Sequence, residues 1–139
     1  MKVCTDHNIE VIKMMTGIQT GVEVNPAQSR FVYNMTDKGE IAGVFFFDSN
    51  DSGNCFAISH GFRPRWCTKA LIIAAYNLAF NELGNKRITA LVDAKNIDAI
   101  KLNLRLGFKV EGALQDYGSG MGLVMGLLKR NVDFKIFKR

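Results

Sequence analysis

Residues 90–112 constrain the fold most strongly, because they combine a strand, a short helix and the start of another strand. The segment is ALVDAKNIDAIKLNLRLGFKVEG. Apolar residues alternate over 88–92, and a helical spacing of apolar residues follows over 96–106. Gly107 marks the helix end, and residues 108–112 begin the next strand. The segment therefore favours an α/β protein over an all-helical or all-strand one.

The first half of the chain predicts an antiparallel meander. Residues 30–36 and 41–47 have strand patterns, and the polar residues 37–40 between them are typical of a hairpin turn. A second polar turn separates these strands from a further strand at 55–61. Residues 4–17 predict a strand end and then a short helix.

A long helix over 68–83 is predicted next, because its apolar residues recur at helical spacing and Gly84 follows as a stop. A helix between two strands is typical of a right-handed crossover, which makes those strands parallel. A last strand is expected at 123–128. The predicted fold is a mixed α/β sheet with an antiparallel N-terminal meander, a central parallel strand pair and flanking helices.

Composition narrows the class of protein. With 139 residues, of which 47% are apolar and 22% charged, the chain predicts a single globular domain over 1–139. Neither a membrane span nor a signal peptide is expected. The scattered Cys4, Cys55 and Cys67 argue against disulfides and against a metal site, so a cytoplasmic location is expected. The net charge of +5 suits nucleic acid, an acidic surface or a polyphosphate cofactor, or merely a soluble basic protein.

Asn96, the apolar positions after it and the Gly107-Phe108 pair resemble the second half of the GCN5-related N-acetyltransferase (GNAT) family. The LGF-VEG segment also resembles small acetyltransferase-like proteins encoded by phages and prophages. The resemblance implies a splayed central strand pair, acetyl-CoA as cofactor, and transfer of the acetyl group to a primary amine. The residues it implies for cofactor binding are Ile58, Arg63, Arg65, Trp66, Cys67, Thr68, Lys69, Asn96 and Ala99.

The loop over 62–69 joins a strand to a helix, where unpaired N–H groups and the helix dipole favour phosphate. In the family this loop carries R/Q-x-x-G-x-G/A, and Arg63 matches its first position. Trp66 and Thr68 then stand at the two glycine positions. A frame shifted by one residue aligns Thr68-Lys69-Ala70 with a T-E-A motif but places arginine at the glycine positions. A basic loop that only caps the helix is the alternative.

His60 and Asn103 are the candidate catalytic residues. His60 ends the strand beside the expected cleft and could act as a general base, or it could be satisfied by backbone. Asn103 occupies the position of the family's thiolate-protonating tyrosine, and an amide cannot supply a proton. Asp93 could contact a cationic substrate or cap a turn, and Glu40 and Glu23 are weaker candidate bases.

Two further residues of the loop leave alternatives open. The thiol of Cys67, at a basic helix N-terminus, could have a lowered pKa or could simply be packed. Trp66 could stack on the cofactor or plug the mouth of the helix.

Three functional hypotheses follow from the sequence. The first is an acetyl-CoA-dependent N-acetyltransferase acting on a small-molecule or protein amine. The second is a non-catalytic acetyltransferase-like fold used for binding or assembly, as in a phage protein. A nucleic-acid-binding module is the third and weakest, because the basic aromatic tail over 129–139 is short. That tail could equally form a homodimer contact.

Overall fold

A computed structural model describes residues 1–6, 29–49, 52–118 and 120–132. Seven strands in these ranges form one sheet in the order β1-β2-β3-β4-β5-β7-β6. They are β1 (Lys2–Cys4), β2 (Ser29–Met35), β3 (Ile41–Ser49), β4 (Asn54–Gly61), β5 (Arg87–Asp93), β6 (Lys109–Tyr117) and β7 (Gly120–Leu128). Among them only β4 and β5 pair in parallel. The predicted mixed sheet is confirmed.

The predicted hairpin between β2 and β3 is confirmed. Gly39 has a φ of 79°, which a side chain would disfavour, and its N–H donates to the Thr36 carbonyl at 2.9 Å. The Thr36 N–H donates to the Glu40 carbonyl at 2.7 Å and closes the turn.

The long helix differs from its prediction over 68–83. An α-helix, α1 (Lys69–Tyr76), continues as a π-helical segment (Asn77–Glu82) in which the Leu83 N–H donates to the Leu78 carbonyl at 2.9 Å. Leu78, Ala79 and Phe80 are all buried. An α-helix turns about 100° per residue, so it spreads three consecutive side chains widely, and the wider π turn helps all three to face the core.

Helix α2 (Ile97–Arg105) has the start and stop that the sequence predicts. The Asn96 side chain accepts a hydrogen bond from the Ala99 N–H at 3.2 Å and caps the helix. Gly107 follows with a φ of 100°, and the Phe108 N–H donates back to the Asn103 carbonyl at 2.9 Å. The turn thereby directs the chain into β6.

Strands β6 and β7 extend well beyond their predicted bounds of 108–112 and 123–128. Strand β6 is an edge strand, and most of its residues are exposed, so burial leaves little pattern in the sequence. The glycines of β7 weaken its strand pattern in the sequence. The structure requires glycine at two of these positions, because side chains from β6 lie across β7 there. A Cβ at Gly122 would lie 2.5 Å from Tyr117 Cγ, and one at Gly126 would lie 2.6 Å from Glu111 Cδ.

The sheet carries an apolar cluster on each face. The larger one joins α1, the π-helical segment and Phe108 to inward-facing residues of β3, β5 and β7, among them Phe45, Phe47 and Met125. The smaller one consists of Phe31, Tyr33, Val44 and Phe46, with Ile58 packed against it. The short helix predicted within residues 4–17, Glu23 and most of the basic tail over 129–139 lie outside the described residues.

Candidate active site

Strands β4 and β5 pair only at their beginnings. Asn54 pairs with Arg87, Cys55 with Ile88 and Phe56 with Thr89, and beyond Phe56 the two strands no longer pair. On its other side β4 remains paired with β3 as far as Gly61. The strands therefore diverge in the middle of the sheet. Among the described residues, the edge of β4 that faces β5 has no strand partner beyond Phe56.

A cleft of about 500 Å³ lies between the diverging strands. Its walls are largely apolar, with aromatic rings from β3 and β4 and with Tyr76 and Phe108. The polar side chains along it include Ser59, His60, Asp93, Asn96, Asn103 and Tyr117. Five sequence-predicted site residues line this cleft, and they are Ile58, His60, Asn96, Ala99 and Asn103.

His60 lies near the open end of β4. It pairs with Val44 of β3, and its ring centroid is 4.6 Å from that of Phe62. The side chain is half-buried. It is therefore held by an aromatic contact and reaches both the cleft and solvent, as a proton acceptor requires.

Asn103 lies on the floor of the cleft in α2 and is only 8% exposed. Its Nδ2 lies 3.7 Å from Met125 Sδ, a weak acceptor. Neither this contact nor the amide itself offers an ionisable proton. The hydroxyl of Tyr76, which also lines the cleft, donates to the Leu106 carbonyl at 2.6 Å, and burial raises the pKa of that phenol.

The basic loop before α1 adjoins the cleft without lining it. Arg63 forms an ion pair with Glu40. The sequence analysis named Glu40 as a weaker candidate base, and in the structure its carboxylate is paired with this guanidinium. Arg65 is exposed and has a φ of 59°, a left-handed conformation that favours glycine. Arg65, which the alignment shifted by one residue places at a glycine position, thus has a backbone conformation that glycine adopts more readily.

Several N–H groups of this loop are available for a ligand. The Thr68 side chain caps α1 by accepting from the Leu71 N–H at 3.2 Å, and the Thr68 N–H donates to the Trp66 carbonyl at 3.0 Å. Within the described ranges, the N–H groups of Arg65, Cys67 and Ala70 form no hydrogen bond with the protein. Lys69, the remaining cation of the loop, opens α1 and is exposed.

The indole of Trp66 packs on the sheet. It covers Gly43 and Gly61, whose Cβ positions its ring occupies, and its centroid is 5.3 Å from that of Phe45. Trp66 does not contact the cleft. This packing agrees with the alternative in which Trp66 plugs the mouth of α1, and it leaves the space between β4 and β5 open.

The sequence analysis did not identify Asn34, which organises this loop. It is fully buried in β2, and its Nδ2 donates to the Trp66 carbonyl at 2.7 Å and to Thr68 Oγ1 at 2.9 Å. Tyr117 was also missed, because its strand extends past the predicted end. An isolated asparagine in an apolar strand is the one signal that pointed to Asn34.

The thiol of Cys67 does not have the lowered pKa that a basic helix N-terminus favours. Burial raises its pKa to about 11, although the nearby charge of Arg105 acts in the opposite direction. Burial, with a contribution from Asp48, likewise raises the pKa of Cys55 to about 12. At Cys67, desolvation of the thiolate therefore outweighs the favourable charge of Arg105.

In the described part of the chain, no helix is both long and apolar enough to span a bilayer. The same residues contain no cluster of three His, Cys, Asp or Glu side chains arranged to hold a metal ion.

Solved structures of acetyltransferases share this architecture. A chimera of spermidine N-acetyltransferase SpeG from Vibrio cholerae and hSSAT matches with a TM-score of 0.72 and 11% identity, over 99% of this chain and 98% of that chain. A mutant of the Vibrio cholerae enzyme matches with a TM-score of 0.61 and 18% identity, over 73% of this chain and 65% of that chain. The match thus spans slightly less than two thirds of that mutant enzyme.

A third similar structure is the ribosomal-protein-S5-alanine acetyltransferase from Vibrio fischeri, with a TM-score of 0.65 and 12% identity over 91% of this chain and 69% of that chain. No protein-family model and no curated protein sequence matches. The chain has the GNAT fold. The likeness to phage-encoded proteins finds no support in these comparisons.

Proposed function

We propose that the protein is an acetyl-CoA-dependent N-acetyltransferase that acts on a primary amine. The divergence of β4 and β5 after Phe56 carries this proposal. A continuous sheet would pair these strands along their whole length, and here the missing pairs give way to a cleft of about 500 Å³. Such a cleft is of the size that small-molecule ligands need.

The residues present fit acetyl-CoA in two places. Along β4, the backbone groups left without a strand partner suit an extended ligand arm that contains amides. At the N-terminus of α1, the N–H groups of Arg65, Cys67 and Ala70 suit phosphate, with Arg65 as an exposed cation. Arg63 contributes less, because Glu40 neutralises it.

The reaction requires a neutral amine and a protonated leaving group. Acetyl-CoA, when bound, supplies a thioester carbonyl carbon, at which the C–N bond forms and the C–S bond breaks. His60, which lines the cleft, is the candidate that accepts the proton lost by the acceptor nitrogen. Asn103 can orient a sulfur by hydrogen bonding, and the proton that the sulfur gains comes from water.

Titration calorimetry with acetyl-CoA, followed by assay of CoA release with a panel of primary amines, tests the proposal. Binding at a 1:1 ratio with a dissociation constant of roughly 1–100 μM is expected, which corresponds to a binding free energy of about −8 to −5.5 kcal/mol. Absence of heat and of any thermal shift at about 1 mM acetyl-CoA, where even millimolar affinity registers, would refute the proposal.

A second candidate function is a non-catalytic acetyltransferase-like fold used for binding or assembly. Asn103 favours it, because this buried amide stands where the family has an ionisable tyrosine. The two candidates differ in turnover. Acetyl-CoA binding without CoA release above the rate of hydrolysis, across the whole amine panel, would favour the non-catalytic function. Homodimer formation and a cytoplasmic location stay predictions, to be tested by sedimentation and by localisation of the tagged protein.

A further inference from the structure

Asp93 contributes a carboxylate to a cleft whose described lining is largely uncharged. Among the described residues that line it, Asp93 is the single side chain with a formal charge, apart from the titratable His60. The chain as a whole carries a net charge of +5, so the negative charge of Asp93 in the cleft is opposite in sign to that of the protein. Apolar walls reduce the screening of this charge and strengthen its attraction for a cation.

Asp93 is held so that one of its oxygen atoms stays available. It ends β5, where it pairs with Gly122 of β7. Its Oδ1 accepts a hydrogen bond from the Lys95 N–H at 2.9 Å, which fixes the carboxylate in the turn before α2. Within the described residues Oδ2 accepts no hydrogen bond and Asp93 forms no ion pair.

Tyr117 borders the same part of the cleft. Its side chain packs against Gly122, where a Cβ would come within 2.5 Å of Tyr117 Cγ. Gly122 is also the register partner of Asp93, so the glycine brings the aromatic ring beside the carboxylate. The following Gly118 would place a Cβ 4.0 Å from Asp93 Oδ2. A carboxylate beside an aromatic face is a binding site for an alkylammonium group.

The reacting nitrogen of an acceptor must lose its proton, whereas a carboxylate stabilises the protonated form. Asp93 therefore suits an ammonium group that does not react. One available oxygen also suits a compact ammonium better than the two-pronged guanidinium. We propose that Asp93 and Tyr117 bind the non-reacting ammonium of an acceptor that carries two amines, such as a diamine or polyamine. This inference rests on the proposed N-acetyltransferase function.

The test compares 1,4-diaminobutane with 1-aminobutane, two acceptors of equal chain length. Wild type is expected to favour the diamine in kcat/KM by roughly 10- to 100-fold, the range for a charge-assisted hydrogen bond. Asp93→Asn should bring this ratio close to one, because the amide oxygen can still accept from the Lys95 N–H while the charge is lost. Asp98→Asn removes an equal charge from an exposed position on α2 and should leave the ratio unchanged.

Direct titration of 1,4-diaminobutane separates this inference from the proposed function. Weaker diamine binding in Asp93→Asn, at unchanged acetyl-CoA affinity, supports the subsite. An unchanged acceptor ratio together with unchanged diamine affinity overturns it. If wild type binds no acetyl-CoA, the proposed function fails, and the diamine titration alone then decides the subsite.

Tyr117→Leu and Tyr117→Phe provide an independent pair, should Asp93→Asn fold poorly. Loss of the ring in the leucine variant should weaken diamine binding several-fold, while phenylalanine retains it. Equal diamine affinity in the two variants, together with the wild-type value, would overturn the role of the aromatic ring.

Discussion

Asn34 of β2 donates a hydrogen bond from Nδ2 to the carbonyl oxygen of Trp66 at 2.7 Å, across 32 positions of the chain. A second bond from the same nitrogen to Thr68 Oγ1, at 2.9 Å, reaches the cap of α1. One buried amide thus fixes both the loop that carries Trp66 and the start of the helix. Its Oδ1 has no partner among the described residues, so part of the hydrogen-bonding capacity of Asn34 is not used.

Replacement of Asn34 by alanine should therefore destabilise the fold by about 1–3 kcal/mol, because the Trp66 carbonyl and Thr68 Oγ1 both lose their shared side-chain donor. The same change should weaken acetyl-CoA binding, since the N-terminus of α1 is no longer fixed. Urea unfolding and calorimetry measure the two effects. Asn81→Ala, which removes an exposed hydrogen bond to Asn77, should change stability by about 0.5 kcal/mol or less. Equal stability in the two variants would contradict this role of Asn34.

Gly43→Ala tests the packing of Trp66 on the sheet. The added methyl group would overlap the indole ring, and the expected cost is about 1–3 kcal/mol. In the double variant with Trp66→Ala the overlap disappears, so a double-mutant cycle should show a favourable coupling energy. Gly112→Ala, on exposed β6 with no atom within 4 Å, is the control and should be nearly neutral. Additive effects of the two changes would show that the ring does not rest on Gly43.

The elements with strong local signals could be predicted from the sequence. The helix over 96–106 was identified because Asn96 and Gly107 supply a cap and a stop. Strand β6 was predicted too short, because an exposed edge strand has no alternating pattern, and its pairing with β7 depends on Gly122 and Gly126. Glycine has a low strand propensity, so these two positions argue against a strand in the sequence. In the structure they leave room for the side chains of Tyr117 and Glu111, which lie across β7.

The site was harder to predict than the fold, because its residues come together through long-range contacts. The resemblance to the GNAT family implied that His60, Asn96 and Asn103 lie at the cleft, and all three line it. The ion pair between Arg63 and Glu40 joins the loop to the β2–β3 hairpin, and no local pattern indicates it. Burial also reverses the pKa direction suggested for Cys67, since desolvation depends on packing that charge counts omit.

Charge reversal at Arg65 should weaken acetyl-CoA binding by about tenfold, because a carboxylate would then face the phosphate groups. The defect should shrink as salt is raised, since the side chain is exposed. Arg130→Glu is the matched control. It lies beside Ser52, Gly53 and Asn54 at the opposite end of β4, about 25 Å away for a strand of this length. Equal affinity in wild type and Arg65→Glu would show that the loop does not bind the phosphates.

The raised pKa of Cys67 predicts a thiol that reacts slowly when the protein is folded. Near pH 7 only about one thiol in 10⁴ is ionised when the pKa is about 11. Because burial favours the neutral thiol in the folded state, its contribution to stability is present below pH 9.0, the ordinary pKa, and is lost as the pH rises toward 11. Alkylation followed by peptide mass spectrometry should therefore rise around pH 11 in folded protein and around pH 9 in urea. Equal rates in folded and unfolded protein at pH 8 would contradict this.

His60→Ala should lower kcat by about 100-fold and leave the dissociation constant of acetyl-CoA within twofold, because a general base acts on the reacting proton and not on cofactor binding. His60→Gln keeps a polar side chain of similar size without an ionisable ring, so it should show the same loss. Phe62→Leu removes the ring contact at 4.6 Å that helps to hold His60 but keeps the histidine, so its loss of turnover should be much smaller than that of His60→Gln. If His60→Gln retains the kcat of wild type, another group accepts the proton and His60 is not the general base.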